Sequence, residues 1–173
     1  SMQIYDALHV LAAQPSAQEQ TQAPHKLYGT LPPQEECSAQ RWRDMATEEI
    51  NKAHAHGQLP IIIGGTGFYI KALTKGFSPV PEVPSDIRDA CTARQQELGN
   101  PAFHAELTTK DPAMAERLHP NDTQRLIRAA EVLEATDKSL AEWQAMPNSG
   151  PPDENWEFEY HYIDMPREEL YAR

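Results

Sequence analysis

The sequence predicts an α/β protein: a wound parallel-sheet core interrupted by a small helical domain. Leu59-Pro60-Ile61-Ile62-Ile63 is a short apolar, largely β-branched run, the composition of a parallel strand covered on both faces. Gly64-Gly65 ends it, and Tyr69, Ile70 and Leu73 then favour a helix, giving the strand, turn and helix of a wound sheet. Such folds place ligands at the carboxyl end of the strand. Prolines at 79, 81 and 84 resist regular structure, and the chain beyond them turns helical. The predicted organisation is a partial α/β core over residues 1–79, a helical domain over 80–146, and a linker with a return strand and helix over 147–173.

The opening stretch to about Pro33 sets short apolar groups (Ile4, Tyr5, Leu8, Val10, Leu11) among Gln-rich and Pro-containing connections, which reads as loops and short elements. From Ser38, residues Trp42, Met45, Ala46, Ile50 and Ala53 recur at helical spacing, with Gly57 where a C-terminal cap belongs. Ser85 can cap a helix carrying Ile87, Cys91, Arg94 and Leu98 on one face, closed by Gly99 and Asn100. Pro101 and Pro112 each suit a first helical turn. Asn121 or Asp122 can cap a helix running through Leu133, and Ser139 with Glu142 forms a capping-box pattern before Trp143. After a Pro147 to Asn155 linker, Trp156, Phe158, Tyr160 and Tyr162 fall on one face of a strand and read as core. Pro166 then starts a helix that stops at Arg173. Both ends look interrupted, so an internal fragment is expected.

Fifteen basic residues stand against 26 acidic ones, a formal charge of -11 over 173 residues. Bulk attraction to nucleic acid is excluded, and any RNA contact must be local. Cys37 and Cys91 match no metal spacing and read as buried thiols in a reducing compartment. No apolar run is long enough to cross a bilayer and Ser1 to Tyr5 lacks a signal-peptide pattern, so a cytoplasmic protein with no membrane partner is expected. His54 and His56 lack a third ligand in register and are not a metal site; Glu35 and Glu36 read as a solvated loop.

Glycines directly after a buried strand let backbone approach a ligand with no side chain between, and amides opening the next helix can meet an anion. Thr66 adds a hydroxyl there. A tight turn with a capping threonine explains the same residues about as well.

Longer motifs separate these readings. Leu59 to Tyr69 resembles the LP-x-x-x-GGTG-x-Y segment of tRNA dimethylallyltransferases. Ser1-Met2-Gln3-Ile4-Tyr5 resembles the end of that family's D-S-M-Q-x-Y motif, and Pro24-His25 its Pro-His step. His119 to Val132 resembles its long HPND-x-QR-x-x-RA-x-EV signature. The segments occur in the family's order.

The resemblance implies transfer of the dimethylallyl group of dimethylallyl diphosphate to N6 of the adenosine 3′ of the anticodon in tRNA. It also implies a P-loop-NTPase-like parallel sheet core, incomplete here, with nucleotide-binding character, Mg²⁺ balancing the diphosphate charge, and a monomer. Neither a G-x-x-x-x-G-K-[ST] loop nor the family's proton-accepting aspartate occurs in the sequence; the aspartate would fall one position before Ser1. The 173 residues alone are therefore expected to be inactive, with no catalytic group of their own and Thr66 as a pocket residue.

By motif position, Ser1, Met2 and Gln3 line the pocket for the target adenosine, Gly64 and Gly65 shape a substrate passage, and Thr66 stands beside it. Gln124, Arg125, Leu126, Ile127 and Arg128 match the tRNA-contacting stretch, and Arg88 another RNA-contact position. Arg125 and Arg128, one helical turn apart, can present a cationic face; pairing with Glu131 or another carboxylate is the competing reading. Two alternatives remain: an adenylate isopentenyltransferase, which prenylates a free nucleotide, and a noncatalytic tRNA-binding fragment.

Overall fold

The computed structural model describes residues 1–7 and 9–172; Leu8, expected among the early apolar groups, and Arg173, the expected helix end, lie outside the described residues. A 3-10 turn at Met2–Ile4 precedes helices α1 (Ala17–Gln20), α2 (Ala39–Ala55), α3 (Gly67–Lys75), α4 (Ser85–Lys110), α5 (Pro112–Ala115), α6 (Thr123–Thr136), α7 (Leu140–Ala145) and α8 (Arg167–Tyr171). The chain forms two compact units, Ser1–Thr74 with Pro151–Arg173, and Lys75–Gly150.

In the first unit α2 begins where Ser38 Oγ accepts the Arg41 amide at 3.1 Å and ends at Gly57, whose φ of +67° suits glycine. Its Ala46 and Ile50, one turn apart, bury against Leu73 of α3, with Leu27, Trp42, Trp156 and Phe158 packed around them. Two tyrosines fasten the entry to α2. Tyr5 Oη accepts the Cys37 amide at 3.2 Å, and Tyr69 Oη donates to the Cys37 carbonyl at 2.7 Å. The Tyr69 ring lies 5.1 Å from that of Trp42. Burial first, then the neighbouring Cys37 and Tyr5, push the Tyr69 phenol up to about 12.

The second unit is closed at its neck. The Ser149 amide donates to Phe77 O at 2.9 Å and the Gly150 amide to Lys75 O at 3.2 Å, so the entering and leaving chain lie side by side. Its core gathers Val83, Phe103, Leu107, Met114, Leu118, Leu126, Ala129, Val132 and Leu140. These come from one stripe of α6, the second arm of α4, the short α5 and α7, and, through Val83 and Leu118, the segments before α4 and after α5. His104 Nε2 donates to the Ala115 and Leu118 carbonyls at 3.1 and 3.2 Å, tying α4 to α5.

Several expectations need correction. Leu59 to Ile63 is extended but unpaired, and Leu59 and Ile61 are 84% and 77% exposed. The only ladder contact among the described residues is an isolated parallel bridge, Tyr5 to Leu31. A β-branched run forms a strand only when another strand satisfies its peptide groups, and among the described residues none pairs with this one: the 153–158 segment shares a cavity with Leu59, Pro60 and Ile62 without forming a ladder. The parallel-sheet core is thus not formed within the described residues. The return strand is likewise extended without a partner: Trp156 and Phe158 reach the core, whereas Tyr160 and Tyr162 are exposed.

Helix ends show smaller shifts. Pro84, not Ser85, occupies the N-cap of α4, and Gly99 is a break rather than an end: at φ 71°, ψ 163° it divides α4 into two arms, the second opened by Pro101. Asp122 occupies the N-cap of α6 without a side-chain cap. The Ser139–Glu142 capping box forms with both hydrogen bonds. Cys37 and Cys91 are half-buried rather than buried, and burial, then Glu134 and Glu131, raises the Cys91 thiol.

Candidate nucleic-acid interface

Helix α6 owes its orientation to Leu126, Ala129 and Val132, all at 0% exposure, which form the stripe that docks into the second unit. The expected RNA-contacting residues divide around that stripe. Gln124 and Arg125 are on the surface, Ile127 is half-buried against the core, and Arg128 sits at the stripe's edge. Leu126 is fully enclosed, so its side chain reaches the core rather than the surface.

Glu131 is the unusual member of α6, a carboxylate only 3% exposed. A buried charge is costly unless paired. Here each oxygen meets a different guanidinium: Arg128 Nη1 donates to Oε1 at 2.5 Å, and Arg88 Nε, from the first turns of α4, donates to Oε2 at 3.3 Å. The arginines remain about half exposed, with side-chain values of 40% and 55% against 4% for Glu131. Arg125 pairs with Asp122 Oδ2 at 3.1 Å on the open surface. Pairing to carboxylates, the competing reading for Arg125 and Arg128, therefore holds for both, and Arg88 is paired as well. Three guanidinium groups share these two carboxylates.

The first unit holds the other expected residues. The backbone nitrogen of Ser1 lies 3.1 Å from Thr66 Oγ1, so these two predicted pocket residues are neighbours. The Thr66 carbonyl accepts the Tyr69 and Ile70 amides and so opens α3, while its hydroxyl points to Ser1 rather than capping the helix. Met2 is exposed. Gln3 is half-buried: its Nε2 donates to Ala13 O at 2.9 Å, and its carbonyl accepts from Gln14 Nε2 at 2.8 Å. Gln14 also donates to Tyr5 O at 2.7 Å and so organises the loop. Sequence reasoning missed that role, since nothing distinguishes one glutamine in a Gln-rich segment.

Gly64 has φ +154°, which favours glycine, and a Cβ built at Gly64, Gly65 or Gly67 would meet nothing within 4 Å. At Gly65 and Gly67 neither backbone angle nor packing demands glycine. The space beside these three glycines is open. Among the described residues no three His, Cys, Asp or Glu side chains converge.

The sequence matches the family model described as IPP transferase over residues 3–173. It is 47% identical over 172 residues to the tRNA dimethylallyltransferase of Rhodospirillum centenum, covering 99% of this chain and 54% of that protein. It is 50% identical over 173 residues to the tRNA dimethylallyltransferase of Paramagnetospirillum magneticum, covering 100% and 54%. The chain belongs to the IPP transferase family.

Among solved structures it resembles a eukaryotic dimethylallyltransferase acting on tRNA, with TM-score 0.67 and 24% identity over 86% of this chain and 38% of that one, a likeness of fold. The tRNA delta(2)-isopentenylpyrophosphate transferase of Staphylococcus epidermidis aligns with TM-score 0.50 and 30% identity over 99% of this chain and 55% of that one. The chain thus spans about half the length, 54%, of the curated relatives it matches. No helix among the described residues is long and apolar enough to cross a membrane.

Proposed function

We propose that this chain contributes the tRNA-binding helical unit and part of the acceptor pocket of a tRNA dimethylallyltransferase. The reaction moves the dimethylallyl group from dimethylallyl diphosphate to N6 of the adenosine 3′ of the anticodon. The N6 lone pair forms the new C–N bond, the allylic C–O bond breaks with its electrons leaving on diphosphate, and N6 gives up a proton. An aromatic amine is a weak nucleophile, so the site must accept that proton, stabilise the leaving diphosphate and exclude water.

The observation that carries the proposal is the buried Glu131 holding Arg88 and Arg128 on a surface whose motif matches the family's RNA-contacting stretch. The relatives' names support tRNA rather than a free nucleotide as acceptor. Ser1, Met2, Gln3 and Thr66 would bind the adenosine withdrawn from its stack, and Gly64 and Gly65 would let it pass close to backbone. Proton acceptance and the diphosphate cradle with Mg²⁺ are not supplied by these residues. The expected setting is a monomer in the cytoplasm.

The test supplies the full-length gene product with dimethylallyl diphosphate and either tRNA or AMP. Prenylated tRNA with AMP unmodified is the expected result; efficient transfer to AMP would instead establish the adenylate isopentenyltransferase reading. The 173-residue chain alone is expected to bind tRNA without transferring the group, and transfer by it would overturn the assignment of the missing chemistry.

A further inference from the structure

We infer that Glu131 is a positioning residue for RNA, its carboxylate fixing two arginines from two helices before the ligand arrives. The inference rests on the tRNA reading above and deepens it. Arg88 and Arg128 lie 40 positions apart in sequence, and only the packing of α4 on α6 brings them to one group. Each uses a single nitrogen on Glu131, Nε for Arg88 and Nη1 for Arg128. The remaining guanidinium nitrogens have no hydrogen-bond partner among the described residues. For Arg88 this leaves the whole terminal Nη1/Nη2 edge, the edge that engages a phosphate through two parallel bonds.

A long exposed arginine loses rotamer freedom when it binds phosphate, and that loss weakens binding. Glu131 imposes it during folding instead. Its burial makes the anchor stiff, since the carboxylate oxygens cannot turn to water without leaving the core. The alternative role, simple neutralisation of excess charge, predicts the opposite response to removing the carboxylate charge.

The variant Glu131→Gln keeps the size of the side chain and one acceptor but removes the charge that holds both guanidinium groups. In the full-length gene product, positioning predicts about tenfold weaker tRNA binding, roughly the ordering penalty of two arginine side chains. The dimethylallyl diphosphate KM should be unchanged, and the salt dependence of tRNA binding should keep its slope because both cations remain. Tighter tRNA binding, or unchanged binding by a folded variant, overturns the inference.

If the variant fails to fold, ¹⁵N relaxation of the Arg88 Nε–H in the unsubstituted protein decides the matter. An ordered side chain before RNA is added supports positioning, and a freely reorienting one overturns it. Failure of the tRNA reading is distinguishable, because the unsubstituted protein would then not bind tRNA at all.

Discussion

Leu126 offers the sharpest separation of contact from support on the proposed RNA face. The residue belongs to the tRNA-matching stretch, yet its side chain is 0% exposed within the core of the second unit. Truncation to alanine removes three buried carbons, about 2.4 kcal/mol at roughly 0.8 kcal/mol for each. The cavity left in the core that Leu126 shares with Phe103 and Val132 adds to this, for a total of about 3–4 kcal/mol. A domain is stable by only about 5–15 kcal/mol, so the loss is a large part of the whole.

Urea unfolding followed by circular dichroism, with hydrogen exchange of the α6 amides reporting on the second unit, measures it. The control is Leu126→Met, which conserves volume and should cost less than about 1.5 kcal/mol. If Leu126 acts only by packing, the alanine variant loses tRNA affinity in step with stability and the methionine variant keeps both. A destabilisation below about 1 kcal/mol, or a methionine variant that is stable but blind to tRNA, would refute the placement of this side chain.

Other outcomes follow from the same geometry. Replacing Arg125 and Arg128 together by alanine should weaken tRNA binding far more than donor binding and shallow the salt slope by about 1 for each lost phosphate contact; equal losses for both ligands, measured by filter binding and donor titration, would count against the interface. Ala at Gly65 meets nothing within 4 Å, so stability should change by less than about 0.5 kcal/mol while prenyl transfer falls. A variant that transfers normally would remove Gly65 from the passage. Tyr69→Phe deletes the bond to the Cys37 carbonyl and should cost about 1 kcal/mol at neutral pH. Because the folded state favours the neutral phenol, raising it from 10.0 to about 12, this stabilisation is complete below pH 10.0 and declines as pH rises toward 12. Urea melts across that range should converge for the parent and phenylalanine proteins and then cross, because a rise from 10.0 to about 12 is worth roughly 2.7 kcal/mol, more than the hydroxyl contributes at neutral pH.

Helix positions were legible in the sequence because their causes are local. Ser38 and the Ser139–Glu142 box cap their helices through contacts a few residues apart, and Gly57 and Gly99 occupy angles that disfavour other residues. Shifts occurred where two local causes competed: Pro84 against Ser85 at the start of α4, and Arg125 against the helix amides for the Asp122 carboxylate. Ser16 and Glu19 make a capping box at α1 that their spacing announces, although the Gln-rich surroundings read as loop. Strands were not so legible. A β-branched run such as 61–63 records a preference, but pairing depends on a neighbour that its own residues do not specify.

By itself the sequence determined the family, through long colinear motifs, and the helices, through caps and apolar spacing. It also required any RNA contact to be local, because 26 acidic residues against 15 basic ones leave no general attraction. Only tertiary structure decided which motif residues face outward. Leu126 and Arg128 are two positions apart in one signature, yet one is core and the other surface, because α6 packs along the stripe between them. The joining of Arg88 to Arg128 through Glu131 was equally out of reach. A buried charge takes its partner from whatever packing brings within a few ångströms, and that distance is set by the crossing of two helices rather than by spacing along the chain.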